Sequence, residues 1–167
     1  MIKGICLLAI VSLSALSVDS ATGQSSAPVE RPAASPFPGL AVALAGAQAA
    51  LAACSAYKVS VAVVDSAGEL KVSLMSDGAP PLTTELAWRK ARTASTFKKA
   101  SSQTKLDPSL QFSLSSSLYS YYGGGVPLKD GSGTVIGAIA ISGGPSEAGD
   151  EECARAGLQK MVSLLGK

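Results

Sequence analysis

The sequence contains no histidine, and this absence excludes several kinds of site. Histidine is the commonest protein ligand for metal ions and the usual acid–base group near neutral pH. A Ser-His-Asp or Cys-His catalytic set is therefore impossible. Metal-ligand spacing of the CxxC or HExxH kind is missing as well. An enzyme with this sequence would have to rely on a bound cofactor or on an unusual base.

Charged and aromatic residues are also scarce. Charged residues make up 16% of the 167-residue chain, aromatic residues 5%, and the formal net charge is +2. So small a net charge does not indicate nucleic acid as a partner. The most basic stretch is accompanied only by Trp88 and Phe97, which is too few aromatic side chains for stacking on bases. We expect no nucleic-acid partner.

The first 20 residues have the layout of a secretory signal. Lys3 precedes an apolar run from Ile5 to Leu16, and small residues follow it. The run is shorter than the roughly 20 residues of a stable membrane span, although a membrane anchor or a buried first helix is the alternative. We expect export to the periplasm or the medium, with no stable membrane anchor. Residues 21–37, rich in Pro, Ser and Ala, read as a flexible leader, and residues 38–167 as the folded domain.

Hydrophobic periodicity predicts the order helix, two strands, helices, two strands, helix. The predicted elements are a helix over 38–56, a hairpin over 57–75 turning at "DSAG", a helix opening at Pro80 and Pro81, a short helix from Asp107, a hairpin from "GGGVPL" through "KDGSG" to Thr134–Ser142, and a helix from Pro145. Hairpins imply antiparallel pairing, so the fold class is α+β with helices covering one sheet. Pro127 indicates an edge strand or a bulge.

If the chain is exported, Cys6 would leave with the signal and two cysteines would remain in an oxidising compartment, where disulfides form. Each lies on a predicted apolar helix stripe: Leu40, Leu44, Ala47, Leu51 and Cys54 on the first helix, and Cys153, Gly157, Met161 and Leu164 on the last. If these helices lie side by side, Cys54 and Cys153 can form a disulfide that closes a loop of about a hundred residues. The alternative is two buried free thiols.

Glycines are concentrated at Gly123–Gly125 and in "SGGP" at 142–145. They can serve packing alone, by allowing a bulge or a close approach of backbone segments. Alternatively they form a ligand platform, because Ser142 and Gly143 join a strand end to a helix N-terminus whose amides could meet a carboxylate or phosphate. Acidic residues in the first turns of that helix partly fill the same role. Neither a GxGxxG nor a GxxxxGK[ST] pattern is present, so nucleotide binding is not indicated.

One stretch is strongly basic. It contains six cations and no acid: Arg89, Lys90, Arg92, Lys98, Lys99 and Lys105. The simplest interpretation is a solvated helix face and tail. The alternative is a surface that receives an acidic small molecule, or the acidic first turns of another subunit's last helix.

Four phrases of the sequence resemble the GlcG/HbpS-like (haem-degrading) family. They are "VSVAVVDSAGELKVSLMSDGAP", "ARTAS", "GGGVPLKDGSGTVIGAIAISGG" and "DEECARAGLQKM", and the resemblance runs from about residue 38 to the end. It implies a profilin-like antiparallel sheet flanked by helices, and assembly into homo-oligomers, often octamers. It also implies haem or a related tetrapyrrole as the ligand, since characterised members bind such molecules.

This chain departs from the family where many relatives carry a histidine after the first hairpin turn, because Glu69 stands there. Tyrosine can hold haem iron, so Tyr121 or Tyr122 is the candidate iron ligand, with Tyr119 beside them and Met75 or a lysine as weaker substitutes. The alternative places these tyrosines in the core or an interface. The other candidate ligand contacts are Lys90 and Arg92 (pairing propionates), Thr93, Gly123, Gly124, Gly125, Ser142 and Gly143.

The resulting expectation is an exported, oligomeric tetrapyrrole-binding protein. The first alternative is a structural or regulatory oligomeric module that has lost tetrapyrrole binding, which the missing histidines favour. The second is an enzyme that acts on haem or on a small acidic metabolite, for which the sequence offers no evident base.

Overall fold

The computed structural model describes residues 36–104 and 118–165. The predicted secretory signal, nearly all of the leader and the short helix predicted from Asp107 lie outside the described residues. Those interpretations remain predictions.

Three helices and four strands make up the described part of the chain. They are α1 Leu40–Ala53, β1 Ser60–Asp65, β2 Leu70–Met75, α2 Pro81–Phe97, β3 Gly125–Lys129, β4 Val135–Ser142 and α3 Glu147–Leu165, with a short 3-10 turn at Ser101–Gln103. Pro81 at the first position of α2 needs no hydrogen-bonded amide there, which suits proline. The α+β class and the flanked antiparallel sheet are confirmed.

The strands form one antiparallel sheet in the order β2-β1-β4-β3. The first hairpin turns where the Asp65 carboxylate accepts hydrogen bonds from the backbone amides of Ala67 and Glu69, at 2.9 and 3.0 Å. In the second hairpin, β3 lies at the sheet edge and its pairing with β4 is irregular between Leu128 and Lys129. The edge position predicted from Pro127 is therefore confirmed.

The sheet is covered on both faces, as the alternation along β1 shows. Val61 and Val63 join the main core with α1 and α3. Ala62 and Val64 point to the opposite face, where they meet alanines of α2. Because that second layer consists of alanines and one valine, the backbone of α2 lies close to the sheet. Chain segments that pack beside α2 therefore also lie close to its backbone.

Helices α1 and α3 pack against each other through small residues rather than leucines. The predicted stripe on α1 is partly wrong, since Leu40 and Leu44 are 65% and 39% exposed. The buried face instead consists of Ala43, Gly46, Ala47 and Ala50. A Cβ added at Gly157 of α3 would lie 2.6 Å from the Gly46 carbonyl oxygen, so larger side chains do not fit at this crossing. The leucines turn outward as a result.

The same crossing brings the two cysteines together. Cys54, directly after α1, and Cys153 on α3 form a disulfide across 99 positions of sequence. Both side chains are buried, at 0% and 8% exposure. Of the two alternatives that the sequence left open, the structure contains the disulfide.

Within the ranges 36–104 and 118–165, none of the helices combines the length and the apolar character that crossing a bilayer requires.

Candidate ligand site at the tyrosine-glycine segment

Residues 119–125, here called the tyrosine-glycine segment, are fixed to α2 and to the 3-10 turn by two hydroxyl groups. The Thr93 hydroxyl accepts a hydrogen bond from the Ser120 amide (3.0 Å) and donates one to the Arg89 carbonyl oxygen (2.9 Å). The Ser101 hydroxyl donates to the Tyr122 carbonyl oxygen (2.7 Å) and accepts from the Gly125 amide (2.9 Å). The segment therefore has a defined position beside α2.

The glycines of this segment allow close packing. Gly124 has φ +126°, and a Cβ there would lie 2.5 Å from the Ile141 carbonyl oxygen. A Cβ at Gly125 would come closer to the Lys90 carbonyl oxygen than two non-bonded atoms can approach. The Gly123 amide donates to the Glu147 carboxylate at 2.6 Å. Packing accounts for all three glycines, and their role as ligand contacts stays a prediction.

Gly125→Ala is expected to lower the free energy of unfolding by about 3 kcal/mol, because the added methyl group meets backbone that cannot yield. Urea unfolding of the variant and of the natural chain measures this loss. Gly131→Ala is the matched control, since a Cβ at that exposed turn position has no heavy atom within 4 Å. Equal stability losses in the two variants would contradict the close approach at Gly125.

Lys90 lies inside the protein and not on a solvated face. It is 3% exposed, and its ammonium group lies 2.7 Å from the Asp150 carboxylate and 3.2 Å from the Ile141 carbonyl oxygen. The other carboxylate oxygen of Asp150 accepts from the Gly144 amide at 2.7 Å. For this residue the interpretation of the basic stretch as a solvated face is wrong. An ammonium group that already has a buried acidic partner is also a poor partner for a propionate.

The acidic partner of Lys90 also occupies the turn "SGGP", which the sequence suggested as an anion-binding site. Asp150 occupies the Gly144 amide from within the chain. Ser142 is buried at the end of β4, and Gly143 has φ +105° and packs against the Lys58 backbone. The backbone of this turn is thus already in use for internal contacts, and its part in ligand binding stays a prediction.

Arg92 lies at the first hairpin turn. Its guanidinium group stacks on the Trp88 ring, 4.3 Å from the ring centroid, and its Nε donates to the Gly68 carbonyl oxygen at 3.3 Å. These contacts of Arg92 are with α2 and the hairpin turn, and not with the tyrosine-glycine segment. Arg89, one turn earlier, takes the place beside the tyrosines that the sequence had suggested for Lys90 and Arg92.

A cavity of about 330 Å³, here called the tyrosine cavity, lies between α2, α3 and the tyrosine-glycine segment. Its lining residues are Leu86, Arg89, Tyr119, Ser120, Tyr121, Tyr122 and Glu147. The Phe97 ring packs against the rings of Tyr119 and Tyr121, with centroid distances of 5.6 and 6.1 Å. Tyr122 is 63% exposed and lies at the mouth. The candidate tyrosines are thus brought together in one concave site.

Three residues that line this cavity carry a buried polar atom with no hydrogen-bond partner among the described residues: Arg89 Nε, Ser120 Oγ and Tyr121 OH. Buried polar atoms are normally paired, so such a group calls for a partner from outside the chain or from water. Burial, and to a lesser extent Tyr119, raises the pKa of the Tyr121 hydroxyl above its ordinary value.

Residues 36–104 and 118–165 contain no group of three or more acidic or cysteine side chains placed to hold a metal ion.

The family model described as "Haem degrading protein HbpS-like" matches residues 39–159. The chain belongs to the HbpS-like family. The resemblance read from the four sequence phrases is confirmed for this HbpS-like protein, and the matched range contains every residue that lines the cavity.

Solved structures agree with this assignment. The HbpS-like chain is 31% identical to a double mutant of HbpS from Streptomyces reticuli, with a TM-score of 0.70 over 89% of this chain and 100% of that one. It is 26% identical to the protein in a PduOC:heme complex, with a TM-score of 0.68 over 74% of this chain and 94% of that one.

A third structure, protein ORFY of Klebsiella pneumoniae, is 24% identical, with a TM-score of 0.67 over 74% of this chain and 89% of that one, and supports the fold. A comparison with curated proteins found no significant match.

Proposed function

We infer that this chain is an exported, oligomeric protein that binds haem or a related tetrapyrrole at the tyrosine cavity. The observation that carries the inference is the buried, unpaired hydroxyl of Tyr121 in a cavity that two further tyrosines line. Membership of the HbpS-like family and the similarity to a PduOC:heme complex support haem as the ligand.

The residues present fit a tetrapyrrole in two respects. Tyr121 or Tyr122 would hold the iron, since tyrosine serves as an axial haem ligand and the sequence has no histidine to compete with it. Arg89 would pair with a propionate, because it is the cation among the described residues that line the cavity. About 330 Å³ is at the small end of ligand cavities, so one edge of the macrocycle would enter. When bound, haem would supply redox chemistry that the side chains of this cavity lack.

Two features support export and assembly. The signal-like first 20 residues agree with the Cys54–Cys153 disulfide, a bond typical of oxidising compartments. The exposed side chains of Leu40, Leu70 and Leu82 offer apolar surface for contacts between subunits. Light scattering on the purified domain would measure the number of subunits, and a strictly monomeric chain would overturn the oligomeric part of the proposal.

Titration of the domain with haemin is expected to give a saturable, shifted Soret band. Tyr121→Phe or Tyr122→Phe should weaken or shift that band, because one of these phenols would be the iron ligand. Tyr57→Phe is the matched control, since Tyr57 is the remaining tyrosine and lines a different groove, beside Cys153. A spectrum equal to that of free haemin in every variant would overturn tetrapyrrole binding.

A structural or regulatory module is the second candidate, and the complete absence of histidine favours it. It predicts the same oligomer without any change in the haemin spectrum. The titration and the light-scattering measurement together therefore separate the two functions.

A further inference from the structure

Three hydrogen-bond donors belong to residues that line the tyrosine cavity. Arg89 Nε can only donate, while the hydroxyls of Ser120 and Tyr121 can donate to a suitable acceptor. All three atoms are buried and have no partner within residues 36–104 and 118–165. We propose that this cavity recognises a carboxylate, which accepts hydrogen bonds from Arg89, Ser120 and Tyr121. A carboxylate has about four acceptor positions and no donor, so it complements such a set.

The charges around the cavity are compatible with an anion. Arg89 brings a positive charge to the cavity lining. Two acidic side chains lie near it: Glu85 forms an ion pair with Arg89 one turn away on α2, and Glu147 lines the mouth. Both acids are exposed, so water and salt weaken their repulsion of a bound carboxylate. The three donors are buried, where their hydrogen bonds are stronger.

Tyr121 is suited to donate. Its phenol O–H is a hydrogen-bond donor, and among the described residues it has no partner of its own. Tyr122, at the exposed mouth, then remains as the candidate iron ligand. Carboxylate recognition and iron coordination are thereby divided between neighbouring tyrosines.

Thr93 is a positioning residue for this set. Its hydroxyl joins the Arg89 carbonyl oxygen to the Ser120 amide, so it links the two walls of the cavity that carry donors. Unlike the three donors, the buried Thr93 hydroxyl already has both of these partners within the chain. The threonine predicted as a ligand contact is assigned this supporting role.

The carboxylate can belong to a propionate arm of a tetrapyrrole, in which case the inference rests on the proposed function, or to a free small acid. The probes are chosen to separate these sources. Iron-free protoporphyrin IX carries two propionates, and its dimethyl ester carries none. Benzoate and benzamide have similar shapes but differ in the charge of the polar group. Fluorescence titration measures the porphyrins, and calorimetry measures the small molecules.

Tighter binding of protoporphyrin IX than of its ester, by about tenfold or more, supports the proposal with a propionate as the source. Tyr121→Phe and Ser120→Ala should each weaken binding of the acid by about tenfold to a hundredfold and leave the ester unchanged, because each removes one hydrogen bond to a charged acceptor. Tyr57→Phe should alter neither. Binding of benzoate but not benzamide, weakened by the same two variants, supports a free acid.

Equal affinities for protoporphyrin IX and its ester, together with no preference for benzoate, would overturn carboxylate recognition while leaving tetrapyrrole binding intact. Binding of haemin alone, with neither acid bound, would also overturn it, since iron would then govern affinity. If no tetrapyrrole binds, the proposed function fails, and the comparison of benzoate with benzamide decides the carboxylate proposal by itself.

Discussion

Lys90→Met is expected to lower the free energy of unfolding by about 3–5 kcal/mol, the usual cost of removing one partner of a buried ion pair. The variant keeps most of the side-chain volume but leaves the Asp150 carboxylate buried at 5% exposure without its cation. Urea unfolding at neutral pH measures the loss. Lys99→Met, at an exposed position just after α2, is the matched control and should change stability by less than about 0.5 kcal/mol.

Removing the charge of Asp150 as well tests why Lys90→Met loses stability. In Lys90→Met/Asp150→Asn the unpaired charge is gone, and the amide oxygen of asparagine can still accept from the Gly144 amide. The double variant should therefore be more stable than Lys90→Met alone. If the single variant loses no more stability than Lys99→Met, the buried ion pair does not exist in solution.

The sequence predicted which segments form helices and strands better than it predicted which side of each helix is buried. The first hairpin was predictable because Val59, Val61 and Val63 recur at every second position and because Asp65 begins a turn pattern. The outward leucines of α1 were not, because periodicity cannot distinguish a leucine stripe from an adjacent alanine stripe when the partner helix demands small residues. Gly46 and Gly157 mark the face where the two helices meet, but this becomes evident only once the helices are known to cross.

The candidate site was predictable in part. The tyrosines were predicted as ligand contacts because they precede a glycine run, and the structure places them in one cavity. Arg89 and Lys90 are neighbours in sequence, yet one lines that cavity and the other pairs with Asp150, 60 positions later. A helix turns about 100° per residue, so adjacent cations point in different directions. Which direction meets an acid depends on the position of α3, and one sequence alone does not give that position.

Cys54→Ala/Cys153→Ala is expected to lower the free energy of unfolding by about 4–5 kcal/mol. The disulfide spans 99 positions, and in the chain-entropy model a closed loop of roughly that length stabilises the native state by this amount. The natural chain treated with dithiothreitol should become similarly unstable, whereas the double variant should not respond to it. Urea unfolding of both proteins, with and without the reductant, makes the comparison.

The dependence of unfolding on urea identifies the cause of that loss. An unfolded chain without the cross-link is more expanded, so the slope of free energy against urea concentration should be steeper in the double variant than in the oxidised natural chain. A loss that came only from the small voids left by two alanines would leave the slope unchanged. Full reduction of the natural chain, verified by alkylation of both thiols, with no change in stability or slope would contradict a cross-link that restrains the unfolded state.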